Sequence, residues 1–333
     1  MTYQPPLFRR QWKGRPCAKR EQRDLKQRLR QILILIAISL LAGIAGCADS
    51  RPAGSPRDEE GFSFIVTADI VGFVEPGYES PQYFLGACAA IRDVGQGAFM
   101  VSVGDVNPPQ HVYRTIRNVF GDDYPWYPVV GNHDAEDPDY MAWLRDWGRH
   151  DIPRPLRRGP VNGEETTYSF DVGSAHFVVI NQYYNGRSDA APDGDVVELL
   201  FNWLKNDLEA NRKPFVFVFG HEPLVSIPDA DNGRHRHVGD SLDAYPESSH
   251  RFQQLLRRHR VTAYICGHTH GFSYAKINGI WQLDAGHAGG IGDVGACSTF
   301  LKIHVGGRGC RAEAYRADAN GRNYTLAYTV ALD

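Results

Sequence analysis

The chain has 333 residues and a formal charge of −3, with 42% hydrophobic and 23% charged residues, which is enough for one large core or two smaller ones and unlike long disorder. The charge is unevenly placed: ten Lys/Arg and two acids give residues 1–30 a net +8 and leave −11 for the remainder. An acidic body excludes general nucleic-acid binding, which leans on neutralising phosphates.

The basic stretch from Arg9 to Arg30 runs into an uncharged apolar segment, residues 31–46 (QILILIAISLLAGIAG), and then Cys47. A positive flank, a short apolar run and small residues before a cut site read as an export signal. The run is shorter than the roughly 20 residues that span a bilayer comfortably. Ile44-Ala45-Gly46-Cys47 resembles a bacterial lipobox, which implies cleavage before Cys47 and its lipidation. The alternative is an uncleaved membrane anchor. Both place the acidic body outside the cytoplasm and attached to the membrane, in the periplasm or at the cell surface, because the basic flank stays inside. Residues 48–60 (ADSRPAGSPRDEE) read as a flexible tether, and residues 61–333 are expected to form a single domain.

Past the tether, FSFIVTA (62–68) reads as a buried strand and 82–94 as a helix opened by Ser80-Pro81. AFMVSV (98–103) is a strand, 109–120 a helix and WYPVV (126–130) a strand. That succession marks βαβ units and a largely parallel sheet. A helix is expected over 138–148, followed by a hairpin of TTYSFDV and AHFVVIN turning at Gly173-Ser174. Next come a helix over 195–210, the strand FVFVFG (215–220), a helix over 247–259 and the strand TAYIC (262–266). From Tyr274 onward the signals are strands and turns.

After Cys47 the cysteines are Cys88, Cys266, Cys297 and Cys310, none with CxxC spacing, so a cysteine zinc site is not expected. Cys297 and Cys310 flank a strand and a glycine turn. A cross-strand disulfide and two free thiols both remain open there, since export permits disulfides.

The informative pattern is where polar residues fall. IVTA ends at Asp69, VSVG at Asp105, YPVVG at Asn132-His133-Asp134, VFVFG at His221, and YICG at His268 and His270. In open α/β sheets the ligand site lies beyond the carboxyl ends of strands. Aspartate, asparagine and histidine together suit a hard or borderline metal such as Mn, Fe or Zn. Each element alone is weak: Gly-Asp is commonly a turn or cap, GNHD reads equally as a turn, and a single buried histidine is usually a core residue. Their recurrence at successive strand ends is what points to one metal centre.

Here the chain resembles the calcineurin-like metallophosphoesterase superfamily, over about residues 62–290, at ADIVG, VGDVN, GNHD, GHEP and CGHTH. The resemblance implies an α/β, four-layer α-β-β-α sandwich of two mixed sheets. It implies that Asp105 bridges two metals, that Asn132, His221 and His268 complete one site, and that Asp69 and His270 belong to the other. His133 then corresponds to the acid and orienting histidine, with Asp134 as its partner. The helix carrying FNWLKNDL is similar to one found in extracytoplasmic phosphatases of this kind.

The first motif departs from the family's Asp-x-His: it reads Asp69-Ile70-Val71, and valine cannot ligate metal. Pro108 stands where the purple acid phosphatase variant supplies a tyrosine instead. Glu75 and His111 are nearby in sequence as substitutes; otherwise water fills the gap, metal binds weakly, or one metal suffices. Arg234, His235, Arg236 and His237, which follow GHEP, and His287 in DAGHAGG are candidates to bind substrate phosphate, the loop through charge-assisted hydrogen bonds. The expectation is thus a hydrolase of phosphate mono- or diesters working by metal-activated water. The alternative is a degenerate relative that binds a ligand or partner without catalysis, as a lipoprotein.

Overall fold

The structure, a computed structural model, describes residues 61–70, 80–153, 155–289, 297–307, 309–318 and 321–333. The export signal, Cys47, the tether, Val71 and Glu75 lie outside the described residues.

Alternating sequence builds two sheets. The first contains β1 (Phe62–Thr67), β2 (Met100–Val103), β3 (Trp126–Val129), β11 (Thr299–Gly306), β12 (Gly309–Arg316) and β13 (Thr325–Ala331), in the order β13-β12-β11-β1-β2-β3. The second contains β4 (Arg157–Arg158), β5 (Tyr168–Val172), β6 (Ala175–Val179), β7 (Phe215–Phe219), β8 (Ala263–Cys266), β9 (Phe272–Ile277) and β10 (Ile280–Ala285), in the order β4-β5-β6-β7-β8-β10-β9. β1, β2 and β3 run parallel, as do β6, β7, β8 and β10, while the outer pairs (β1–β11, β11–β12 and β12–β13 in the first sheet, β4–β5, β5–β6 and β10–β9 in the second) are antiparallel, so both sheets are mixed.

Strand residues alternate between faces, and the sequence uses aromatics on the faces that meet. Phe64 of β1 meets Phe177 of β6 edge-on at 5.2 Å and Phe217 of β7 at 5.3 Å, and Tyr127 of β3 stacks on Phe170 of β5 at 3.7 Å. Their neighbours turn outward. Trp126 stacks on Tyr113 of α2 (Pro109–Phe120) and packs edge-on against Trp147 of α4 (Pro138–His150). On the other side, Val178, Val216 and Val218 pack with Leu200, Leu204 and Leu208 of α5 (Glu198–Ala210) and with Phe252, Leu255 and Leu256 of α6 (Pro246–Arg258). The i, i+4, i+8 spacing of the three leucines puts them on one helical stripe. The four expected layers are therefore present, with α1 (Ser80–Val94) and the short α3 (Asn132–Glu136) as the remaining α-helices among the described residues.

The hairpin expected at Gly173-Ser174 joins β5 to β6, and Asn278-Gly279, both with positive φ, turns β9 into β10. The strand-only reading past Tyr274 also holds. The disulfide alternative does not: Cys297 and Cys310 are free thiols. The β11–β12 ladder pairs Cys310 with Val305 near the turn and Thr299 with Arg316 at the far end, and Cys297 lies beyond Thr299. At about 3.3 Å per residue that separation far exceeds the span of a disulfide. Among the described residues no helix is long and apolar enough to cross a membrane.

Candidate metal centre

Five strand ends converge. β1, β2 and β3 of one sheet deliver Asp69, Asp105 and Asn132, while β7 and β8 of the other deliver His221, His268 and His270. The loops leaving these strands are too tight for ordinary backbone. Asp69 (φ 49°), Asp105 (53°), His268 (73°) and His270 (60°) all occupy the left-handed region, at a cost of about 1–3 kcal/mol each. Aspartate and histidine tolerate that region better than most residues. The preceding glycines have a steric reason. A methyl at Gly104 (φ 91°) would strike the His221 ring, one at Gly131 the Asp105 carboxylate, and one at Gly267 the Asp69 carboxylate.

The first cluster spans both sheets. His221 Nδ1 lies 2.9 Å from the Val103 carbonyl, to which it donates, leaving Nε2 bare. That nitrogen is 3.2 Å from Asn132 Oδ1, 3.3 Å from His268 Nδ1 and 3.5 Å from Asp105 Oδ1, and His268 Nδ1 is also 3.2 Å from Asn132 Oδ1. Ligands roughly 2.0–2.2 Å from a metal stand roughly 3–3.5 Å from one another, so these four donors fit a single cation. The second cluster is Asp69, Asp105 and His270, whose ligand atoms all lie within 4.8 Å of one another. Asp69 Oδ2 accepts the His268 N–H at 2.9 Å, whereas Oδ1 is buried, accepts no hydrogen bond and faces His270 Nε2 at 3.4 Å. A buried carboxylate oxygen left without a donor is what a cation would satisfy.

The electrostatics fit the same reading. Burial, then the neighbouring histidines, pushes the His268 imidazole well below its ordinary value, and burial lowers His221 despite Asp105. Both are then neutral, the form that ligates metal. Burial first, then Asp105 and Asp284, raises the Asp69 carboxyl well above its usual range. A divalent cation between these carboxylates reverses that pressure.

His133 sits at the rim, about half exposed. Its backbone N–H donates to Asp105 Oδ1 at 3.0 Å, and its Nε2 is 4.0 Å from Asp105 Oδ2. Its expected partner is corrected. Asp134 is fully buried and accepts from the backbone N–H groups of Val106 and Gly131 at 3.0 and 2.9 Å, and the His133 ring instead lies 3.5 Å from Glu136. The physical reason is that GNHD opens the short helix α3 rather than forming a free turn. Asp134 therefore binds the β2 and β3 loops together, and residues 133 and 136 share a face.

The basic loop divides. His237, in left-handed backbone, lies over His268 with ring centroids 3.9 Å apart, and its Nδ1 is 3.4 Å from Asp240. The Arg236 charge acts on Asp69, His237 and His268. His235 instead bonds the Ser226 carbonyl at 3.1 Å, and Arg234 helps close the turn, its carbonyl accepting the Asp229 N–H at 2.8 Å. A buried ion pair, Asp229 with Arg316 at 2.8 Å, fastens the loop to β12. His287 is buried with its ring 6.0 Å from that of His270, while His111 lies on α2 outside both clusters.

Sequence reasoning passed over several supports. Asp284 accepts from Thr269 Oγ1 at 2.7 Å and clamps the GHTH turn, and burial raises its carboxyl to about 8. Glu222, beside His221, accepts from the buried Tyr183 hydroxyl at 2.9 Å. Glu136 was detectable by its i, i+3 relation to His133; Asp284 and Tyr183 carry no local signal.

With this geometry in place, similarities to known proteins become interpretable. Residues 62–272 match the calcineurin-like phosphoesterase family. Human tartrate-resistant acid phosphatase type 5 is 25% identical over 255 residues, covering 72% of this chain and 74% of the human protein. Among solved structures, GAP50, the anchor in the inner membrane complex of Plasmodium, superposes with a TM-score of 0.55 at 16% identity, covering 82% of this chain and 89% of that one. PhoD does so with a TM-score of 0.52 at 12% identity, covering 80% and 68%. The family match spans every strand-end residue of the candidate centre from Asp69 to His270, and the chain belongs to the calcineurin-like phosphoesterases.

Proposed function

We propose that this chain is a metal-dependent hydrolase of phosphate mono- or diesters. The observation that carries the reading is the convergence of Asp105, Asn132, His221 and His268 at spacings that fit one cation. Similarity to an acid phosphatase supports the monoester branch. Divalent metal, when bound, supplies Lewis acidity to a phosphoryl oxygen and to water. The chain's own groups do the rest. Asp105 links the two clusters, and the His221–Val103 bond holds a bare nitrogen towards the site. His133, at the open rim, donates a proton to the leaving oxygen, and Glu136 orients its ring. Arg236 and His237 meet the substrate's negative charge. Placement outside the cytoplasm on a lipid anchor at Cys47, as a single domain after the tether, belongs to the same proposal and rests on the N-terminal sequence.

Purified protein loaded with Mn, Zn or Fe should release nitrophenolate from nitrophenyl phosphate or its diester, and chelation should stop it. Asp105→Asn should abolish turnover; full activity in that variant refutes the assignment. The rival reading, a metal-poor binding module, is favoured by Val71 in the first motif. Elemental analysis separates the two, since a chain carrying no metal supports the binding module.

A further inference from the structure

The second cluster offers Asp69, Asp105 and His270 but lacks the histidine or tyrosine its relatives would add, since Val71 and Pro108 stand at those positions. Accepting the metal-dependent reading, we infer that Asn107, through its side-chain carbonyl oxygen, is the replacement ligand that completes this site. Three observations lead there.

Asn107 lies in the loop leaving β2, two residues beyond Asp105, in the sequence Gly104-Asp105-Val106-Asn107-Pro108. The loop is held from below, because the Val106 N–H donates to the buried Asp134 carboxylate at 3.0 Å. Its start is thus fixed at the metal-facing end of β2.

The oxygen is also idle. An asparagine ahead of a helix ordinarily caps it, yet the residue at the cap of α2 is Pro108, no side chain caps the helix, and the Pro108 carbonyl takes the first helical N–H groups. Asn107 Oδ1 is nevertheless buried and accepts no hydrogen bond. Burying an amide carbonyl without a donor brings a desolvation cost and no return.

The third observation is the coincidence. Among the described residues, the buried unpartnered atoms include two side-chain carbonyl or carboxylate oxygens, and these are Asp69 Oδ1 and Asn107 Oδ1; the remainder are N–H groups, an imidazole nitrogen and a serine hydroxyl. Acceptor-only oxygens cannot satisfy each other. A cation held between them would satisfy both. An amide oxygen is a hard, neutral ligand, so this site prefers Mn or Mg over a metal wanting nitrogen or an anionic phenolate.

The test titrates metal-free full-length protein with Mn by calorimetry, with manganese counted per chain by elemental analysis. Wild type should take two ions of unequal affinity. Asn107→Ala should weaken the looser site at least tenfold and leave the tighter one unchanged. Asn107→Asp, which keeps an oxygen, should restore it. Metal-free Asn107→Ala should melt no lower than the wild type, because the oxygen makes no hydrogen bond to lose and its desolvation cost is relieved. An unchanged second site in Asn107→Ala, or a second site lost equally in Asn107→Asp, overturns the assignment. A wild type that binds one ion also overturns it while sparing the hydrolase reading; a wild type that binds none overturns both.

Discussion

The imidazole of His221 donates from Nδ1 to the carbonyl oxygen of Val103, 2.9 Å away on the opposite sheet. The bond ties the two sheets together at the metal face and decides which nitrogen is available to a cation. It depends on Gly104, whose lack of a side chain lets the ring lie against the β2 loop. Gly104→Ala should therefore lower metal affinity of the first cluster by about 10–100-fold, the usual penalty for disturbing a ligand's orientation. It should also cost about 1–3 kcal/mol of stability, for an alanine at φ 91°. Metal titration and urea unfolding measure the two effects.

The His133 ring stands back from the metal cluster, its Nε2 being 4.0 Å from Asp105 Oδ2. Replacing it with asparagine should leave metal content intact and lower kcat by about 10²–10⁴-fold, as expected for a lost general acid. The deficit should shrink on substrates with good leaving groups, which need no proton. Glu136→Gln, which loosens the hold on the His133 ring, should bring a smaller loss in kcat.

The Asp229–Arg316 pair is buried on both sides, and Asp229 also accepts the Phe272 N–H at 2.9 Å. Breaking it with Asp229→Ala leaves the buried guanidinium to Asp231, 2.9 Å from its Nε, and should cost less than the roughly 3–5 kcal/mol of a fully unpaired buried charge. Because the loop bearing Arg236 and His237 is released, KM should rise more than kcat falls. Steady-state kinetics at a temperature where the variant stays folded test this split.

A pH effect arises far from the metal face. His176 is buried between Asp171, 2.7 Å from Nδ1, and Asp207, 2.8 Å from Nε2, with Arg157 and Lys213 facing the same carboxylates. Burial alone lowers this imidazole, but the bonds to Asp207 and Asp171 outweigh it and hold it above the ordinary 6.5. A folded value above the unfolded one means stability fully present below about pH 6.5 and lost as pH rises through the folded value. Urea unfolding at pH 6 and pH 9 should show wild type losing stability across that interval. His176→Gln should be less stable at pH 6 and lack this component of the slope.

The fold was legible where one face of an element repeats. FSFIVTA and FVFVFG announce buried strands, and Leu200, Leu204 and Leu208 announce a helical stripe. The residues of the candidate metal centre were legible because each interrupts an apolar run at its end. What escaped depends on geometry across the chain. GNHD reads as a turn because nothing local shows that Asp134 will bond backward to Gly131 and sideways to Val106. Cys297 and Cys310 look like neighbours until the ladder register pairs Cys310 with Val305.

Asp69, Asp105, His237, His268 and His270 share a backbone conformation that side-chain-bearing residues seldom enter. Local bonds such as Thr269 to Asp284 pin these loops, and the two packed sheets bring the loops together, through the aromatic layer between them. The candidate donors are therefore set by the framework, as in a mould and not a net that closes around its catch, and the shape of that mould is cast when the sheets dock.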